Sequence, residues 1–350
     1  MQQTEKPVGT GPSHRDPVGP RDALVAAADW LERGERVALA LVTSTWGSSP
    51  VPVGGAMAIT ADERFAGSVS GGCVENDVIV AAGSALGSGR AQLLRFGVAN
   101  ERAWAQGLPC GGEIEVLVVP VDGAGSDALL AAREALKARR PADLAIDLRT
   151  CALQAHTGAE VVGAAPAGVV ALPSADAHSH LWRLRPPPRV VVVGATHTAQ
   201  HLLAMLGTVG YDAMLVDPRS AYATEDRFPA IAGDGRTVVA WPAEATAAMR
   251  LDRHTALVAL SHVADIDDEA LLAALEAECF YVGALGSRRN HARRRERLAA
   301  KGAAIPALDR IHAPVGLDIG AHGPAEIAVA ILAQIIAALR AVRASYGGAA

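Results

Sequence analysis

The sequence predicts an α/β protein: a mixed α/β N-terminal domain followed by a doubly wound parallel sheet with helices on both faces. Three observations predict it. At 350 residues the chain exceeds one comfortable core, so two domains are expected. Half of the residues are apolar and only 20% are charged, so much apolar surface has to be buried; with aromatics at 4%, that core has to be built from Ala, Val, Leu and Ile. From residue 190 onward, short apolar runs alternate with stretches of helical spacing, the pattern of strand–helix–strand units in a parallel sheet.

Residues 1–20, MQQTEKPVGTGPSHRDPVGP, are polar and rich in Pro and Gly. They hold no apolar core of a secretory signal, so a flexible tail and a cytoplasmic protein are expected. A helix is predicted over 21–33, where Leu24, Ala27, Ala28 and Leu31 share one face. Residues 37–43 are strand-like. After a Gly/Pro/Ser stretch, strands are predicted over 56–60 and 65–69, a helix over 75–85, strands over 91–96 and 113–121, and a helix over 128–139. These elements define the first domain, 21–150. Residues 151–188, Ala- and Gly-rich with isolated polar residues, are expected to connect the domains, stiffened by Pro186, Pro187 and Pro188.

The second domain, 189–350, opens with four successive valines at 190–193, suited to a strand buried on both faces. Strands follow at 213–216, 237–240, 255–260 and 280–285, with helices at 199–209, 243–250, 267–278 and 288–300. The last helix starts near Pro324, proline being well placed in a first turn. Its apolar run, 327–339, is short of about 18 residues and is interrupted by Gln334, so a buried helix rather than a membrane span is expected. A face left uncovered at the end of a domain points to a homodimer.

A net charge of −5 gives no long-range attraction for nucleic acid or an anionic membrane. Cys73, Cys110, Cys151 and Cys279 lie far apart without a CxxC pair, so reduced thiols are expected. No HExxH or clustered His/Asp pattern suggests zinc.

Several segments carry candidate chemistry. Gly194-Ala-Thr-His-Thr-Ala199 follows the valine strand as a dinucleotide fingerprint would. Gly194 and Ala199 fill its outer positions, but Thr196 stands where close approach of a pyrophosphate wants glycine. Asp217 ends the second strand where a ribose-binding acid would sit. A Rossmann-like fold that no longer holds NAD(P) is the expectation.

In Gly67-Ser-Val-Ser-Gly-Gly-Cys-Val-Glu75, Gly71 and Gly72 permit unusual backbone angles and close approach of a ligand. Cys73 opens a predicted helix, whose N–H groups and dipole favour a thiolate. It is either a sulfur carrier, nucleophile or soft metal ligand, or a small buried residue at a tight turn. Gly107-Leu-Pro-Cys-Gly-Gly-Glu113 sets Cys110 beside Gly111 and Gly112 and suggests a shared pocket, two unrelated turns being the alternative. Gly286, Ser287 and Arg288 open a helix and form a candidate anion cradle. Six arginines lie between Arg288 and Arg297; those past the first turn read as a solvated face. Pro314-Val-Gly-Leu-Asp-Ile-Gly320 precedes the last helix, and His262 and His312 end strands at the functional edge of such a sheet.

Together these segments resemble the XdhC/CoxI proteins, accessory factors of molybdenum hydroxylases such as xanthine dehydrogenase. The resemblance rests on Gly47-Ser-Ser-Pro50, the Gly67–Glu75 loop and Pro109-Cys-Gly-Gly112 in the first domain. In the second it rests on Val216-Asp-Pro-Arg219, Arg227-Phe-Pro229, Ser261-His262, Gly283-Ala-Leu-Gly-Ser-Arg288 and Pro314–Gly320, then Pro324 and Glu326-Ile-Ala328. It implies a protein that transiently binds the molybdenum cofactor, assists its sulfuration and delivers it to an apo molybdenum hydroxylase, with a cysteine-desulfurase sulfurtransferase as a further partner. Cys73 and Cys110 fall on the family's cysteine positions, and His197 is retained. The chain departs from the family near Val51, where a basic residue is usual, and at Thr196, where the usual turn is glycine-rich. The rival is an NAD(P)-dependent oxidoreductase, which Thr196 contradicts. The four-cysteine spacings of an iron–sulfur electron carrier are absent from the sequence.

Overall fold

The computed structural model describes residues 20–47, 49–97, 112–157, 168–171, 179–233 and 235–347. The chain forms two compact units, Met1–Pro186 and Pro187–Ala350, meeting within the triple proline.

In the first unit, α1 (Pro20–Glu32) precedes β1 (Val37–Trp46), β2 (Ala56–Thr60), β3 (Phe65–Gly67), α2 (Glu75–Ser88), β4 (Gln92–Phe96) and β5 (Glu113–Pro120). The five strands form an antiparallel sheet in the order β3-β2-β1-β5-β4. The side-chain period of two explains why β1 is apolar at every position of its first half. Val37, Leu39 and Leu41 face one core, while Ala38, Ala40 and Val42 face the other, which α2 covers with Val78, Ala82 and Ala85. β5 is split the same way, Leu117 and Val119 against Val116 and Val118.

After α3 (Gly123–Lys137), capped by Asp122, come β6 (Ala142–Asp147), β7 (Leu153–Thr157), β8 (Gly168–Ala171) and β9 (Ser179–Leu184). They form a second antiparallel sheet, order β7-β6-β9-β8. Residues 151–188, expected as a connecting segment, thus contribute three strands to the first unit. Ala and Gly have little strand preference of their own. What holds these strands is tertiary: Leu153, Trp182 and Leu184 are buried in the same core as α1, α3 and one face of β1.

The second unit runs β10 (Arg189–Val193), α4 (His197–Thr208), β11 (Asp212–Val216), β12 (Thr237–Val238), α5 (Pro242–Met249), β13 (Thr255–Ala259) and α6 (Ala264–Glu276). It continues with β14 (Tyr281–Ala284), α7 (Arg288–Ala300), α8 (Ile305–Leu308), β15 (Ile311–His312) and α9 (Gly323–Gly347). Its six strands are parallel in the order β12-β11-β10-β13-β14-β15. Counted from β10 that is 3-2-1-4-5-6, the order of a Rossmann sheet, whose strand order reverses between β10 and β13. Val190 and Val192 lie in one core and Val191 and Val193 in the other, as a strand covered on both faces requires.

By length and composition α9 is apolar enough to cross a membrane, contrary to expectation: an 18-residue window within 323–342 has a mean hydropathy of 2.0. Ala328, Ile331 and Ile335 nevertheless sit in the core of the second unit with Leu202, Leu203 and Leu206 of α4. Gln334 accepts hydrogen bonds from the Tyr281 hydroxyl (2.6 Å) and the Gly316 N–H (2.8 Å). The helix thus packs one face into the core of the second unit.

Candidate functional site

Of the residues singled out in the first unit, Gly71, Gly72, Cys73 and Gly112 lie at one end of its five-stranded sheet. Trp46, the last residue of β1, pairs with Glu113, so Gly112 lies beside the chain that leaves β1 toward Pro50. The Gly67–Glu75 loop meets the same chain: a β-carbon on Gly71 would come 3.5 Å from Pro50 Cγ. The chain around Pro50, the Gly67–Glu75 loop and Gly112 therefore meet here. Cys110 and Gly111 lie outside the described residues, and Gly112 is buried.

The Gly67–Glu75 loop is organised by Glu75, the first residue of α2. One carboxylate oxygen accepts from the Ser68 hydroxyl (2.6 Å) and from the N–H groups of Val69 (3.2 Å), Ser70 (2.9 Å) and Gly71 (3.1 Å). The other accepts from the Ser70 hydroxyl (2.5 Å) and from the N–H groups of Gly72 (2.9 Å) and Val74 (3.2 Å). Ser70 Oγ in turn accepts from Cys73 N (2.9 Å) and Val74 N (3.0 Å). Burial alone would push the Glu75 carboxyl up, but the donations from Ser68, Ser70 and the backbone outweigh it and hold the group at about 2. Gly71 and Gly72 have φ of 81° and 114°, so the ring of donors closes only with glycine at these positions.

This arrangement bears on two expectations. The N–H groups of Gly71 and Gly72, where close approach of a ligand was expected, donate to Glu75. Cys73, by contrast, is exposed, which rules out a small buried residue at a turn. Cys151 and Cys279 are buried, and burial pushes both thiols up, Cys279 to about 12. Trp46, which the sequence reading passed over, keeps 70% of its surface exposed at the same sheet end. Among the described residues no group of three or more His, Cys, Asp or Glu is placed to hold a metal ion.

In the second unit, Gly194 (φ 106°) follows β10 and approaches the chain leaving β13 so closely that a β-carbon would fall 2.4 Å from Ser261 N. Thr196 caps α4, its hydroxyl accepting from Ala199 N at 3.3 Å, and His197 is exposed in the first helical turn. Asp217, expected as a ribose ligand, is fully buried. It accepts from Ala195 N (2.7 Å), Arg219 N (2.9 Å), Arg219 Nε (2.8 Å) and Arg219 Nη2 (2.7 Å), which fill its acceptor positions. Asp217 braces the turn after β10 instead of offering itself to a sugar. Burial would raise its carboxyl, and the Arg219 and Ala195 hydrogen bonds bring it below the usual range.

The loops after β13 and β14 form a cleft of about 190 Å³ lined by His262, Asp267, Gly286, Asn290, Arg293 and Arg294, among others. His262 has φ 62°, an uncommon and costly angle for a side-chain-bearing residue. Of the predicted cradle, only Gly286 lines this cleft. Ser287 caps α7 by accepting from Asn290 N (3.3 Å), and Arg288 is exposed away from the lining. Arg294, expected on a solvated face, is buried. The available signal was its spacing: it stands four residues before Leu298, the buried apolar residue of α7, and so shares its face.

The sheet order and the Gly67–Glu75 loop define the class: a two-part protein whose first unit presents an exposed thiol and whose second is a Rossmann fold. Residues 190–335 match the XdhC Rossmann domain, and residues 30–97 match the XdhC and CoxI family. The chain belongs to the XdhC/CoxI family. It is 29% identical over 323 residues to the molybdenum cofactor insertion chaperone PaoD of Escherichia coli K12, covering 90% of this chain and 87% of that protein. It is 28% identical to a probable xanthine dehydrogenase subunit of Bacillus subtilis 168, covering 87% and 94%. A crystal structure described as a xanthine dehydrogenase from Bacillus halodurans shares the fold, with a TM-score of 0.73 at 24% identity over 91% of this chain and 96% of that one.

Proposed function

We propose that this protein is an accessory factor that binds the molybdenum cofactor and assists its sulfuration and insertion into a xanthine-dehydrogenase-type hydroxylase. The observation that carries the reading is the exposed Cys73 thiol on a loop fixed by Glu75. A thiolate is a soft ligand for molybdenum and a carrier for sulfur, and it acts best from a rigid support. The nearly full-length likeness to an insertion chaperone supports the same reading. Cys73 and Cys110 would hold the metal end, and the exposed face of Trp46 offers a stacking surface for the flat pterin. The apo-hydroxylase and a cysteine-desulfurase sulfurtransferase are the proposed partners, the protein working in the cytoplasm as a homodimer through the uncovered side of α9, where Val329 is exposed.

The test is anaerobic binding of the molybdenum cofactor to wild type, Cys73→Ser and Cys110→Ser, with NAD as a control. Tight binding weakened about tenfold or more by either substitution, the worth of one strong contact, is the expected result. Cofactor binding indifferent to both substitutions, or saturable NAD binding in its place, would overturn it. The oxidoreductase alternative has no support in the turn after β10, where Thr196 caps the helix and the acceptors of Asp217 are filled.

A further inference from the structure

Arg294 is a buried charge in the second unit with unmet hydrogen-bonding capacity. It keeps 6% of its surface exposed. Its Nη2 donates to Leu285 O at 2.8 Å and stands 3.8 Å from Asp267, but its Nε and Nη1 are buried with no hydrogen-bond partner. Unpaired buried donors on a cation are costly, and a structure retains them where something else satisfies them. Arg294 lines the cleft between the loops that follow β13 and β14.

Other groups around the cleft point to the same kind of ligand. Gly286 (φ 131°) opens the N-terminal turn of the thirteen-residue α7, where N–H groups and the helix dipole favour an anion. A β-carbon there would come within 3.8 Å of Arg294 Nη2, so the glycine leaves room beside the guanidinium. The exposed Arg293 adds a second cation at the rim. A third, Arg297, is held by Asp268 in a two-pronged pair (2.7 and 3.0 Å). The single carboxylate in the lining, Asp267, accepts from Ser261 N (3.1 Å) and Ser261 Oγ (2.6 Å) and offsets only part of this charge. At about 190 Å³ the cleft is smaller than the roughly 300–1,000 Å³ that hold whole small molecules, and it suits an anionic group of a larger ligand.

We propose that this cleft is a phosphate-binding site, taking the phosphoryl or diphosphoryl group of a small-molecule ligand on the guanidinium of Arg294 and the first turn of α7. It lies on the far side of the β10/β13 reversal from the turn at Gly194, and it is therefore distinct from the pyrophosphate position of a dinucleotide fold. The ligand is either a phosphomonoester, such as the tail of a pterin cofactor, or a nucleotide diphosphate.

The experiment is calorimetric titration of the full-length protein with inorganic phosphate and with pyrophosphate, on wild type, Arg294→Gln and the surface variant Arg293→Glu. Wild type is expected to saturate with at least one anion. Tighter phosphate binding assigns the monoester, and tighter pyrophosphate binding assigns the diphosphate. Arg294→Gln is expected to weaken binding about tenfold or more, the worth of one or two charge-assisted hydrogen bonds, and Arg293→Glu severalfold. If Arg294→Gln fails to fold by circular dichroism, Arg293→Glu decides alone. No saturation of wild type by either anion at about 10 mM, weaker than any contact argued above would give, or binding unchanged in the folded variants, overturns the proposal. Since the probes are inorganic ions, the result is independent of whether Cys73 handles molybdenum.

Discussion

Glu75 concentrates seven donors on one carboxylate and is ionised because of them. Its folded value of about 2 lies below the ordinary 4.5, so its contribution to stability is complete above pH 4.5 and is lost as pH falls through that window toward 2. At about 1.4 kcal/mol per unit the contribution is on the order of 3 kcal/mol. Glu75→Gln, which replaces one acceptor oxygen by a donor, is expected to lower the urea-unfolding free energy by about 2–3 kcal/mol at pH 7 and by much less near pH 2. Equal losses at both pH values would show that the charge is irrelevant. The thiols are the other residue-scale contrast. Iodoacetamide labelling read by peptide mapping is expected to modify Cys73 in the native protein and to spare Cys151 and Cys279 until denaturant is added, as their burial requires.

Among the elements, the turn after β10 is the most constrained. Gly194→Ala drives a β-carbon to 2.4 Å from Ser261 N at a φ of 106°, and a cost of about 2–4 kcal/mol is expected from overpacking and backbone strain together. Destabilisation below about 0.5 kcal/mol, the scale of an ordinary surface change, would mean that the two loops part easily. At this scale the sequence was informative wherever an element buries a periodic face. The valines of β10 announced a strand covered on both sides, and α1, α2 and α7 fall close to their expected bounds. It was uninformative for β6 through β9, because their pairing comes from contacts with distant residues that no local pattern records. The site was legible as loops and not as chemistry. The Gly–Gly spacing marked where the chain bends, but that Glu75 occupies those N–H groups, and that Arg294 turns inward, depends on packing.

For the whole molecule, a chain of net charge −5 carries a cluster of arginines on one helix, so its attraction for anions is local to the cleft near Arg294. Light scattering on the full-length protein is expected to give the mass of a dimer, and Val329→Lys on the uncovered side of α9 is expected to shift it toward the monomer. A monomeric wild type would remove the dimer from the proposal. The locked loop of the first unit bears on the whole as well. Because Glu75 and Ser70 already take up the N–H groups from Val69 to Val74, a guest arriving at Cys73 has no loop to fold and, on leaving, none to unfold. Neither capture nor release then carries the cost of ordering or melting the loop. That symmetry suits a protein that hands its cargo on, and it would be a handicap in one built to keep it.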